Sequence, residues 1–182
     1  MIIGLTGPNA SGKGEAALYI KSKGFIYHSL SDILREEGKR SGIKPLRENM
    51  IKLGNTLRSE NGPDILARRA IEKLTNKENH IVDSIRNPAE VKALKELDGF
   101  ILIGIDAPIE TRFNRSLERK RPGDADTLED FIAKEDQENK ISIENQQLKT
   151  CLQMADVIVV NDSTIEDFHK KIDEKIKKYK KA

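Results

Sequence analysis

The chain has 182 residues, 37% hydrophobic and 34% charged, with 32 basic and 30 acidic side chains. That length suits one α/β domain with a real core, and a net charge of +2 gives no field strong enough to favour nucleic acid. The single cysteine, Cys151, excludes a disulfide framework and a cysteine-rich zinc site. No apolar run approaches about 18 residues and no signal-peptide pattern opens the chain, so a cytoplasmic protein without a membrane span is expected.

Residues 1–6 read as a short buried strand, followed at once by Gly7-Pro8-Asn9-Ala10-Ser11-Gly12-Lys13-Gly14 and a helical pattern. Gly, four residues, then Gly-Lys between strand and helix is the phosphate-binding loop. Its glycines let successive N–H groups turn inward on an anion, the helix presents its positive end there, and Lys13 adds a full charge. The residue after Lys13 is Gly14, so the hydroxyl that ordinarily helps hold Mg²⁺ is missing. Glu15 has two readings, a metal ligand or a first-turn acid that suits the helix dipole.

Further strand-like runs occur at 24–28, 80–83, 100–106 and 156–160, each nearly continuous in apolar residues. Such runs, alternating with helices, predict a doubly wound parallel sheet of five strands covered on both faces. Ser29-x-x-Asp32, Thr127-x-x-Asp130 and Ser163-x-x-Glu166 resemble capping boxes, and Asn87-Pro88-Ala89-Glu90 caps another helix. Two segments look like insertions: a helical, arginine-rich stretch at about 30–74 and a charged loop at about 119–127, whose Pro and Gly suit a flap.

Phosphoryl transfer requires positive charge around the moving group, a metal, and alignment. Arginines recur where strands end: Arg35 after the second, Arg86 after the third, and Arg115, Arg119 and Arg121 after the fourth. Ligands of open α/β sheets bind at that edge, and the planar guanidinium matches two phosphate oxygens. Asp83, ending the third strand, is either a metal ligand or a loop cap. Asp32 either completes its capping box or orients an acceptor.

The segment Ser31-Asp32-Ile33-Leu34-Arg35 resembles the acceptor-phosphate segment of adenylate kinase relatives, and Val82-Asp83-Ser84-Ile85-Arg86 their Asp-Gly-Phe-Pro-Arg. Gly12-Lys13-Gly14 is similar to their Gly-Lys-Gly, with Glu15 where they carry Thr. Arg112, Arg115, Arg119 and Arg121 resemble the arginines leading into their lid. Residues 155–163 look like dephospho-coenzyme A kinase, where this strand and loop lie near the adenine. Ser29 to Arg35, Arg47-Glu48-Asn49, Gly54-Asn55-x-Leu57-Arg58 and Asp83 to Val91 also resemble kinase-like P-loop proteins, some fused to deoxycytidylate deaminase; this chain has no deaminase signature.

The resemblance implies a three-layer α/β P-loop NTPase fold forming a single domain over 1–182, with a helical acceptor-binding insertion and a short lid. It implies ATP and Mg²⁺ as cofactors. Residues 7–15 would hold the donor, with Asp83 and Glu15 near the metal. Asp32, Arg35, Arg47, Arg58 and Arg86 would bind the acceptor. Lys13, Arg86, Arg115, Arg119, Arg121 and Asp32 would act in transfer. The expected reaction is γ-phosphoryl transfer from ATP to a small-molecule nucleotide, a nucleoside monophosphate before dephospho-coenzyme A, by a monomer or homodimer. A nucleotide sensor without chemistry and an ATP hydrolase are the alternatives, the sensor favoured by Gly14-Glu15.

Overall fold

A computed structural model of the chain describes residues 1–75, 77–120, 123–139, 142 and 145–180. Five strands, β1 Ile2–Thr6, β2 Ile26–Ser29, β3 His80–Asp83, β4 Phe100–Asp106 and β5 Val157–Val160, form one sheet in the order β2-β3-β1-β4-β5. Every pairing is parallel. The continuous apolar runs reflect cover on both faces.

On one face Ile3, Leu5, Ile103 and Ile105 meet Ala16, Ala17 and Ile20 of α1 (Lys13–Ser22) and Phe168, Ile172 and Ile176 of α9 (Ile165–Lys180). On the other, Val82 and Leu102 pack with Leu30 and Leu34 of α2 (Leu30–Arg40), Leu57 of α3 (Arg47–Asn61) and Leu66 of α4 (Ile65–Ile71). Val91 and Leu94 of α5 (Pro88–Lys95) and Cys151 of α8 (Leu148–Gln153) complete that layer. The segment at about 30–74 is therefore α2, α3 and α4. Two more helices, α6 (Ile109–Arg119) and α7 (Leu128–Glu138), flank the charged loop at the carboxyl edge.

The chain leaves β1 for one face, through α1, and β3 for the other, through α5. The carboxyl ends of these neighbouring strands thus part into a crevice, the place where open α/β sheets bind ligands. Among the described residues no helix is long and apolar enough to cross a membrane.

Side-chain caps set the starts of α2, α5, α7 and α9. Ser29 and Thr127 accept from the amides of Asp32 (3.3 Å) and Asp130 (3.2 Å), and Asn87 with Glu90 forms the full capping box ahead of Pro88. The start of α9 differs from expectation. Thr164 accepts the Asp167 amide (3.3 Å) and its carbonyl accepts from Phe168, while Ser163 donates to the Asp167 carboxylate. The cap lies one residue later than the Ser163-x-x-Glu166 pattern indicated because Thr164 offers the same hydroxyl chemistry.

Candidate active site

The loop after β1 is shaped by its own backbone. Gly7 sits at φ +140, where a Cβ would stand 2.0 Å from the Ile105 carbonyl oxygen; Gly12 sits at φ +103, where a Cβ would stand 2.2 Å from Asn161 Nδ2. Three non-glycine residues adopt left-handed backbone: Ala10 (φ 59), Ser84 (φ 66) and Lys120 (φ 47). Ser84 lines the cavity at the sheet's carboxyl edge, and Ala10 and Lys120 directly follow Asn9 and Arg119, which line it too; such strain gathers at functional sites.

Lys13 opens α1 and donates its Nζ to the carbonyls of Gly7 (2.8 Å) and Pro8 (2.7 Å). Burial is the main reason its ammonium falls from 10.5 to about 7; Arg86 adds to the fall, Asp83 opposes it, and Arg112 and Arg119 add further. Beside it, Ser11 Oγ is buried without a hydrogen-bond partner. A buried hydroxyl and a destabilised cation in a glycine-shaped loop at a helix start fit a polyphosphate.

After β3, Asp83 is fixed by the Ser84 amide on Oδ1 (2.6 Å) and the Tyr27 hydroxyl on Oδ2 (3.1 Å). Burial, then the Asp83 charge, push the Tyr27 phenol up to about 12, so it stays a donor. Arg86 lies within a cavity of about 280 Å³, also lined by Leu34, Arg35, Arg47, Met50 and Arg119. The cavity combines a cationic end with an apolar wall. Burial lowers the Arg86 pKa, and its Nε is buried without a partner.

The arginines around the crevice divide by what they touch. Arg35 pairs with Asp32, Arg47 with Glu138 and Asp124, and Arg119 with Asp124. Arg112 pairs with Glu135 and also donates to the Ala107 carbonyl (3.1 Å). Arg58, expected to grip the acceptor, borders the same cavity but is 4% exposed and paired with Glu90, so its charge is met inside the protein. Arg86 and Arg115 instead meet neutral amides. Arg86 Nη1 donates to Gln146 Oε1 (3.1 Å). Arg115 Nη2 donates to the Asn161 carbonyl (3.2 Å) and to its Oδ1 (3.3 Å), leaving a buried Nη1 without a partner. Asn161 Nδ2 donates in turn to the Ser11 carbonyl (3.0 Å), joining α6 to the loop. Arg121 lies outside the described residues.

The two residues expected near a metal are not brought together. Glu15 bonds His169 of α9 (2.8 Å), which stacks on Tyr19 with ring centroids 3.7 Å apart. That contact favours the reading of Glu15 as a helix-start acid with a side-chain partner. Asp83 remains beside Lys13, and no group of three His, Cys, Asp or Glu among the described residues is arranged to hold an ion. One carboxylate suffices for Mg²⁺, which keeps most of its waters and takes its remaining ligands from substrate phosphates.

Gln146, Asn161, Asp124 and Glu90 organise this site and escaped the sequence reading as site residues. Glu90 left a signal as the last member of the capping box, Asn161 lies in the 155–163 stretch that resembles dephospho-coenzyme A kinase, and Asp124 lies in the charged loop; Gln146 left none.

A family profile described as an AAA domain matches residues 6–133. A UPF0200 protein of Hyperthermus butylicus is 32% identical over 92% of this chain and 89% of its own length. A UPF0200/UPF0201 protein of Archaeoglobus fulgidus is 36% identical over 94% of this chain, which spans 53% of that relative. Among solved structures, TT1252 from Thermus thermophilus superposes with a TM-score of 0.66 at 20% identity over 98% of this chain and 97% of its own. The shikimate kinase of Bacteroides thetaiotaomicron gives 0.62 at 17% identity, over 97% and 98% of the two chains. The architecture is the three-layer α/β P-loop kinase fold; the chain carries the AAA domain and belongs to the UPF0200 family.

Proposed function

We propose that this protein transfers the γ-phosphoryl group of ATP to a small phosphorylated acceptor, a nucleoside monophosphate first and dephospho-coenzyme A second. One observation carries the reading. Lys13 and Arg86 act on one another at the carboxyl edge of β1 and β3, and neither has a carboxylate within ion-pair distance among the described residues, with Asp83 acting on both and Glu138 on Arg86 from farther off; Arg115, tied to the phosphate loop through Asn161, lacks such a partner too. Burying such charge is costly unless an anion joins it.

The division of labour follows from position. The loop amides, Ser11 and Lys13 hold the donor phosphates, with Arg115 at their flank. Asp83 is the residue placed to hold Mg²⁺, which supplies charge neutralisation and alignment when bound. Arg86 grips the acceptor phosphate in the adjoining cavity, with Arg35 at its rim. Asp32, held by Arg35, keeps that arginine at the rim. Arg119 and Asp124, from the expected lid, line the cavity; closure by them would exclude the water that competes for the phosphoryl group. The mixed apolar and cationic cavity supports an acceptor with an organic body beside its phosphate.

The test is ADP release in the presence of Mg²⁺ across nucleoside monophosphates and dephospho-coenzyme A. Stimulation by one acceptor, lost in Lys13→Ala, is the expected result. Release that ignores acceptors assigns a hydrolase. A second reading, nucleotide sensing without transfer, is favoured by Gly14, which offers no hydroxyl to a metal; tight ATP binding with no turnover would establish it.

A further inference from the structure

We propose that Gln146 is a positioning residue for the acceptor site, orienting the Arg86 guanidinium through a neutral amide so that its charge remains for an incoming phosphate. The inference rests on the acceptor reading above and adds to it a residue from the segment between α7 and α8.

The contrast among the arginines is the starting point. Arg35, Arg47, Arg58, Arg112 and Arg119 each meet a carboxylate. Arg86, which also lines the cavity, meets the amide oxygen of Gln146 at 3.1 Å, while the carboxylates of Glu138, Asp83 and Glu90 act on its side chain only from beyond ion-pair distance. A guanidinium only donates, so the amide must offer Oε1. That bond fixes direction at little electrostatic expense, whereas a carboxylate would fix direction and cancel the charge. Nε of the same guanidinium is buried without a partner, an arrangement that a phosphate oxygen completes.

Gln146 is itself well held. It is 8% exposed, and its neighbours are tied to the arginine's own loop. The Gln147 amide donates to the Arg86 carbonyl (2.7 Å), and Asn87 Nδ2 donates to the Asn145 carbonyl (2.9 Å). Asn55 Nδ2 of α3 donates to Asn145 Oδ1 (3.0 Å). Gln146 also borders a second cavity of about 500 Å³, which shares Arg47 and Ile51 with the first. It therefore stands where the insertion, the Arg86 loop and both cavities meet.

The test compares wild type with Gln146→Glu and Gln146→Met by titration calorimetry. The protein is first saturated with a nonhydrolysable ATP analogue and Mg²⁺. Inorganic phosphate and AMP are then the probes. Gln146→Glu should weaken both by about tenfold or more, because it pairs with Arg86; Gln146→Met, which loses only the orienting bond, should weaken them about threefold. Binding of the ATP analogue should stay within about twofold of wild type in both. In an Arg86→Ala background the Gln146→Glu loss should vanish. A glutamate variant that binds the probes like wild type or like the methionine variant overturns the proposal, as does a loss that persists without Arg86. Wild type that binds the analogue but neither probe removes the acceptor reading itself, and the role of Gln146 with it.

Discussion

Arg58 and Glu90 form an ion pair sealed inside the protein, with Nη2 and Oε1 2.8 Å apart and side chains 4% and 0% exposed. The other oxygen of Glu90 accepts the backbone amides of Arg86 (2.9 Å) and Asn87 (3.0 Å). One carboxylate thus locks α3 to the loop that carries Arg86. Glu90→Ala would strand the Arg58 charge and two amides, a loss of about 3–5 kcal/mol. For a chain of this size that is a fall of about 6–20 °C in Tm. Thermal melts with a circular-dichroism readout check it; a shift under about 2 °C would mean that water reaches the pair.

The depressed pKa of Lys13 makes phosphate binding depend on protons. The folded value is about 7 against 10.5 for the free side chain. Below about 7 the residue is charged in both states and the burial penalty is full; as pH rises toward 10.5 the unfolded chain holds the extra proton and the penalty is relieved. Lys13→Met should therefore raise the Tm of the ligand-free protein most at and below neutral pH, while abolishing triphosphate binding. A bound triphosphate favours the ammonium, so at pH 8 binding should draw in about one proton. Calorimetry in buffers of different ionisation heat measures it, and Lys13→Arg, always charged, should show none.

The sheet and the phosphate loop were legible because each is a local pattern. Buried parallel strands are short apolar runs, and the loop is written in contiguous residues between a strand and a helix. The helical insertion also stood out, through its length and its arginines. What could not be read was which arginine has a carboxylate partner. Arg58 and Arg86 look alike in sequence, yet Glu90 meets one and Gln146, 60 positions beyond the other, meets the second. That distinction depends on long-range partners that no spacing encodes. Glu15 illustrates the same limit: its partner His169 is 154 positions away.

The three glycines of the loop should respond differently to substitution. A Cβ at Gly7 or Gly12 meets backbone oxygen or the Asn161 amide at 2.0 and 2.2 Å, both at positive φ. Either alanine variant should lose triphosphate binding, by about tenfold or more. Gly14 has open space where a methyl group would stand and lies inside α1, so Gly14→Ala should stabilise by about 0.5–1 kcal/mol. Gly14→Ser restores a hydroxyl next to Lys13. It should lower the Mg²⁺ concentration needed for half-maximal binding of a nonhydrolysable ATP analogue, whereas Gly14→Ala should not. Equal behaviour of the two variants would show that the metal is held without help from that position.

Asp124 joins Arg119 at the end of α6 to Arg47 at the start of α3. It accepts from Arg119 at 2.8 and 2.9 Å and faces Arg47 Nη1 at 3.5 Å, while Arg119 also reaches Asn9 Oδ1 in the phosphate loop (3.2 Å). Its carboxylate competes with a phosphate for both guanidinium groups. Asp124→Asn removes the competing charge but keeps the size, so a nonhydrolysable triphosphate should bind more tightly, by about threefold to tenfold at low ionic strength. The gain should shrink between about 0.05 and 0.5 M salt, as screening shortens the reach of these partly exposed charges. The same change loosens the link between α3 and the 119–127 loop, so cleavage of that loop by trypsin should quicken in the free protein and slow again when the triphosphate is bound. Weaker triphosphate binding in Asp124→Asn would instead mean that the carboxylate aims the two arginines and does not compete for them.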